Sequence, residues 1–181
     1  MASIKGFQMK NVKNTLGREG YGCTATMYLN GKKIGTYADY GDGAMEDVEY
    51  VSKEAKEEMM KVIIAYAKEH PNDFIINLYH ERPQQFKEEC ERFKKYHPYI
   101  PDEDITIETM ASNSIVYIVS DFLKLLDTEK DFKKYQKKGY KAISIDGTKL
   151  SAYPTSWSDE KIKEHAKDRE LYMSLDDFIV K

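Results

Sequence analysis

The dipeptide Asn30-Gly31 constrains the fold more than any other feature, because it stands between two alternating runs, residues 21–29 and 32–40. A two-residue type I′ turn needs positive φ at both central positions, which Asn and Gly tolerate best. The turn then predicts its own register: Leu29 opposite Lys32, Met27 opposite Ile34, Ala25 opposite Thr36 and Cys23 opposite Ala38. Most apolar members fall on one face. A strand over residues 5–13, with Phe7 and Met9 on a common face, completes an expected three-stranded antiparallel meander. Between the strands, residues 17–22 hold three glycines and are expected to form a loop or bulge.

After Gly41-Asp42-Gly43 the apolar period changes from two to about 3.6. Ala55, Met59, Val62 or Ile63, and Tyr66 predict a helix over 52–69, with Pro71 beyond its end. Phe86, Cys90, Phe93 and His97 predict a second over 84–96, closed by Pro98 and Pro101. Residues 105–110 alternate like a short strand, and 115–126 are read as helix because the pattern outruns ordinary strand length. Asp127 or Thr128 is expected to cap a further helix over 129–138, which Gly139 ends as a left-handed C′ residue. A strand over 140–145, a turn at Asp146-Gly147 and a partner strand over 148–153 follow, then a short helix from Ser158 to about residue 168. Extended or short helical pieces finish the chain over 171–180. The expectation is a single α+β domain over residues 1–181, with N-terminal meander, amphipathic helices and a second short sheet. Any subdivision falls near residue 100, in the proline- and acid-rich stretch 97–104.

Composition narrows the function classes. The chain has 181 residues, 41% of them hydrophobic, enough for one cored domain or two small ones. Its longest apolar runs, 62–67 and 115–119, fall far short of the roughly 20 residues that span a bilayer, so no membrane role is expected. Residues 1–13 are too polar for a secretory signal, and Cys23 and Cys90 are too few for a disulfide framework. A cytoplasmic location is expected. The net charge of -3 conceals a local swing: residues 1–38 carry six bases and one acid, whereas 37–58 carry eight acids and two bases. A second basic segment, 130–141, has six lysines and one aspartate.

His70, His80, His97 and His165 match no metal spacing, Cys90 and His97 share an apolar stripe, and Cys23 has no adjacent base. No metal ligand, catalytic residue or cofactor is assigned. Asp39, Asp42, Glu46, Asp47 and Glu49 form the densest acidic group. Such a group suits Mg²⁺ for phosphodiester chemistry, a solvated loop, or an acidic surface that imitates a nucleic-acid backbone. A nuclease pattern at Asp102 and Glu108 fails because Met110 stands where a lysine is required. Residues 17–22 lack the Gly-Lys-Ser/Thr ending of a phosphate loop and precede no helix, so a sharp strand connection is expected there. Lys133, Lys134, Lys137, Lys138 and Lys141, interleaved with Phe132, Tyr135 and Tyr140, suit either phosphate contact with base stacking or an amphipathic helix with wet lysines.

The run Lys10 to Gly22, the segment Tyr28 to Gly35, the acidic loop at Asp39 and the later Phe132 to Lys141 carry a resemblance. Together with 24 lysines against four arginines and 14 tyrosines, they resemble small phage and mobile-element proteins of low-GC Gram-positive bacteria, among them type II-A anti-CRISPR proteins. The match covers about a third of the chain and rests on turns, glycines and a basic helix end. It implies a non-enzymatic binding protein that inhibits a type II CRISPR effector nuclease with its guide RNA. The acidic group would contact the nuclease, and the lysines would contact guide RNA or DNA. The competing classes are a metal-dependent phage nuclease and a stand-alone nucleic-acid-binding protein.

Overall fold

A computed structural model describes residues 1–181. The first half runs β1 (Ser3–Ile4), β2 (Phe7–Leu16), β3 (Tyr21–Leu29), β4 (Lys32–Ala38), β5 (Asp47–Tyr50), α1 (Lys53–Glu69), α2 (Asp73–Glu81) and α3 (Pro83–Tyr96). The second runs α4 (Ile107–Ala111), α5 (Ile115–Gln136), β6 (Tyr140–Asp146), β7 (Lys149–Pro154), α6 (Asp159–His165), β8 (Glu170–Tyr172) and β9 (Ile179–Val180). The class is α+β, with an antiparallel N-terminal sheet, six helices and a small second sheet. The chain divides into two compact units, residues 5–119 and residues 1–4 with 120–181. The division falls inside α5, and the stretch near residue 100 lies within the larger unit.

In the larger unit β2 to β5 form an antiparallel meander in the order β5-β4-β3-β2. Asn30 and Gly31 take φ of 50° and 80°, as the turn requires, and Leu29 faces Lys32. The expected register holds through one further pair and then fails. Tyr28 faces Lys33 but Met27 faces Gly35, Ala25 faces Tyr37 and Thr24 faces Ala38, because Ile34 is the extra residue of a bulge. The bulge turns Tyr37, 4% exposed, toward the core in place of the expected Thr36. Burying an aromatic ring removes far more apolar surface from water than burying a threonine. A fourth strand, β5, extends the expected meander, so Asp47 and Glu49 lie on a strand rather than in a loop.

Phe7, Met9, Cys23, Ala25, Met27, Leu29 and Ile34 bury one sheet face. Helix α1 begins at Ser52, whose hydroxyl accepts from the Ala55 N–H at 3.2 Å, and buries Ala55, Met59, Ile63 and Tyr66, as its spacing predicts. Ile64 of α1 joins a second cluster with Tyr79, Phe93, Ile100, Met110 and Ala111. Helix α2 lies outside the expected elements; Asn72 caps it by accepting from the Ile75 N–H at 3.2 Å. The alternation at 105–110 is not a strand. Thr106 and Thr109 form a reciprocal capping box that starts the short helix α4.

The smaller unit holds a sheet in the order β7-β6-β8 and a parallel pairing of β1 with β9. The helices expected over 115–126 and 129–138 are one helix, α5, ending at Gln136. No Gly or Pro interrupts it, and Thr128 donates its hydroxyl to the Lys124 carbonyl at 2.9 Å instead of capping a new start. The β6–β7 hairpin turns at Gly147-Thr148, one residue later than expected, since Asp146 faces Lys149. Ser158 caps α6 through the Lys161 N–H at 3.2 Å, and α6 ends at His165.

Candidate functional site

The five acids of the densest group occupy three positions on the sheet of the larger unit. Asp39 follows β4, Asp42 and Glu46 lie in the loop to β5, and Asp47 and Glu49 project from β5. Asp47 and Glu49 are both exposed, while Val48 and Tyr50 between and after them are half-buried. Residues two apart on a strand share a face about 7 Å apart, so β5 sets two carboxylates side by side. Glu49 pairs with Thr36 and Asp47 with Ala38. Beneath them burial raises the Tyr37 phenol far above its usual range, and the nearby Glu46 and Asp39 carboxylates raise it further.

The glycine-rich turn at 17–22 fixes this acidic loop. Glu19 N–H donates to the Gly41 carbonyl at 2.7 Å, and the Thr15 hydroxyl donates to the Asp39 carbonyl at 2.8 Å. Asp39 accepts from the Gly41 N–H at 2.8 Å, and Asp42 from the Ala44 N–H at 3.1 Å, each forming a local turn. A Cβ on Gly17 would lie 2.1 Å from the Tyr40 carbonyl oxygen, and one on Gly22 would lie 2.2 Å from that of Asp39. The glycines therefore serve close backbone approach, as expected of a strand connection. Gly17→Ala or Gly22→Ala is expected to lower unfolding free energy by about 1–3 kcal/mol, because backbone rather than a flexible side chain must move. Urea unfolding measures this, and an unchanged midpoint would contradict the packing described.

None of the five acids takes part in an ion pair, whereas most of the candidate lysines do. In the smaller unit Lys133 donates to Glu129 at 2.7 Å, Lys141 to Asp159 at 2.6 Å, and Lys134 stands 3.9 Å from Asp131. Lys138 lies over the Tyr135 ring at 5.6 Å, and neither it nor Lys137 stands in an ion pair. Phe132 is fully buried against Phe178, and Tyr135 meets Tyr140 edge-on at 5.5 Å. Phe132 thus belongs to the core stripe, and its ring is not open to a nucleobase.

No three His, Cys, Asp or Glu side chains gather into a group that could hold a metal ion. Cys23 is buried, and burial with the Asp39 charge raises its thiol, so it stays protonated at neutral pH.

A hollow of about 300 Å³ that sequence reasoning missed opens among α2, α3 and α4, lined in part by Tyr79, Glu89, Arg92, His97 and Asn113. The Tyr79 hydroxyl donates to Glu89, and burial followed by that carboxylate holds the phenol far above its usual range. His97 Nδ1 lies 2.9 Å from the Tyr99 hydroxyl, and burial, then the Lys56 charge, lowers the imidazole. The hollow therefore presents a protonated phenol and a neutral imidazole, hydrogen-bonding groups without an activated nucleophile. The hollow depends on α2, whose short pattern gave no signal.

No helix is long and apolar enough to cross a membrane. No protein-family model, no curated protein and no solved structure matches this chain.

Proposed function

We propose that this chain is a binding protein that inhibits a type II CRISPR RNA-guided DNA nuclease in the cytoplasm of a bacterial host. Its acidic edge, Asp39, Asp42, Glu46, Asp47 and Glu49, is presented to the basic surface with which the nuclease holds nucleic acid. The observation that carries this reading is the absence of any ion pair to these five acids on a backbone that is itself firmly held. Carboxylates left unneutralised by their own chain project a field that steers a basic partner, and a fixed backbone limits the entropy lost on docking. An RNA-guided nuclease offers such a partner, since a positively charged channel holds its heteroduplex. The resemblance to type II-A anti-CRISPR proteins points the same way.

The lysine group is the lesser contact, because Lys133, Lys134 and Lys141 each stand beside an acid of their own chain. The test is target-DNA cleavage by a purified type II effector with its guide, with increasing amounts of this protein. Cleavage is expected to fall to completion near one protein per effector. Reversing Lys137 and Lys138 to Glu is expected to change the inhibitory concentration less than about 3-fold, within the small effect of exposed charges. Uninhibited cleavage at large excess would sink the reading. Degradation of RNA or DNA by the protein with Mg²⁺ alone would replace it with the nuclease class.

A further inference from the structure

We infer that the tip of the larger unit's sheet is an anchoring site for a folded protein partner whose face is basic around an apolar hollow. The inference rests on the reading of the chain as a binding protein and adds the residues that hold the partner. Leu16 and Tyr21 are the last facing pair of β2 and β3, and they are 73% and 84% exposed. Tyr40 and Met45, 52% and 90% exposed, sit in the loop after β4. These two segments are in contact through backbone: the Tyr40 carbonyl lies against Gly17, Glu19 N–H donates to Gly41, and the Glu19 carboxylate lies against Gly43. Four large apolar or aromatic side chains, two at strand ends and two in the loop, thus lie on touching segments, among them the two most exposed large hydrophobic side chains of the chain.

Single exposed hydrophobics are ordinary; a group of them rimmed by charge marks an interaction surface. Tyrosine and arginine dominate binding energy at protein interfaces, and Arg18, with an 82% exposed side chain, lies in the turn between Leu16 and Tyr21. The rim decides the occupant. Glu19, Asp39, Asp42 and Glu46 all lie in the two segments that form the tip, whose single cation, Arg18, is already paired with Glu19 at 3.4 Å. Phosphate of nucleic acid and anionic lipid are repelled by that rim, and a second copy in an isologous contact would set acid against acid. A basic protein face satisfies the rim, and an apolar hollow in it takes Tyr21 and Met45 out of water.

The test uses a random peptide display library panned against the whole chain, because selected peptides settle on anchoring surfaces. The expected winners combine Lys or Arg with aliphatic or aromatic residues, and their affinity falls about 30-fold or more on Leu16→Ser, Tyr21→Ser and Met45→Ser together. Thermal unfolding checks that this variant folds, and Tyr40→Ser with Met45→Ser, both outside the strands, serves as a second. Winners that lack basic residues, or that bind both variants as they bind the natural chain, overturn the inference. Concentration-dependent dimers in sedimentation that vanish in the variants also overturn it, in favour of a second copy. The same variants are tested for binding the effector with its guide. Tip-directed peptides without any effector binding sink the nuclease reading and leave the anchor standing. Effector binding untouched by the variants, with peptides equally untouched, sinks the anchor alone.

Discussion

Replacing Glu129 by alanine is expected to destabilise the protein by about 3 kcal/mol, near the lower end of what breaking a buried ion pair costs. The carboxylate is 2% exposed and holds three donors: Lys133 Nζ at 2.7 Å, the Ala2 N–H at 2.8 Å and the Met1 ammonium at 3.2 Å. Lys133 is half exposed and can turn to water, which keeps the loss from the upper end of the range. Ala2 is fully buried, and its N–H loses this bond to the carboxylate. Burial alone would raise this carboxyl, but the hydrogen bonds from Lys133, Ala2 and the terminus outweigh it and leave the group below its ordinary 4.5. A carboxylate lowered in the folded state contributes stability that is fully present above the unfolded value and is lost as pH falls through the folded one. The natural protein should therefore lose this contribution in acid below about pH 4.5, and Glu129→Gln should have less of it to lose. Unfolding curves at neutral and acidic pH measure both, and an equal acid response of the two would contradict the role given to the charge.

Reversing Asp42, Glu46, Asp47 and Glu49 to lysine is expected to weaken binding to the effector and its guide by about 100-fold, within the range of electrostatic steering. Folding should survive, since these side chains lose no ion pair and relieve the mutual repulsion of neighbouring acids. Asp39 is left in place because the bond it accepts from the Gly41 N–H is part-buried and shapes the loop, whereas the bond Asp42 accepts from the Ala44 N–H is exposed and water can replace it. Retained affinity in the reversed protein would contradict the acidic edge while leaving the apolar tip to be judged on its own.

The local elements were legible wherever one residue type forces one geometry. Asn30-Gly31 announced a hairpin, Ser52 a helix start and Ser158 another, and each stands where it was read. Register was not legible, because the bulge at Ile34 answers to burial of Tyr37, a tertiary demand that alternation does not encode. Thr106 misled for a related reason: alternation around it looks extended until Thr109 is seen to return its cap. The acids were visible as a group, yet their placement on a fourth strand was not, since four residues carry too short a period. The apolar tip lay beyond reach altogether. It exists only because Gly17 and Gly22 let two loops touch, and glycine names no partner loop. The neutralisation of Lys141 by Asp159, 18 residues away, was equally invisible.

The central claim is that unpaired acid on the larger unit's sheet draws in a basic partner. Its most direct test is the association rate with the effector and its guide, measured against ionic strength for the natural protein and for the four-site reversal. The account predicts a fast rate for the natural protein that falls steeply as salt rises, and a slow rate for the reversal that salt does not lower. Two proteins with the same rate and the same salt dependence would contradict it.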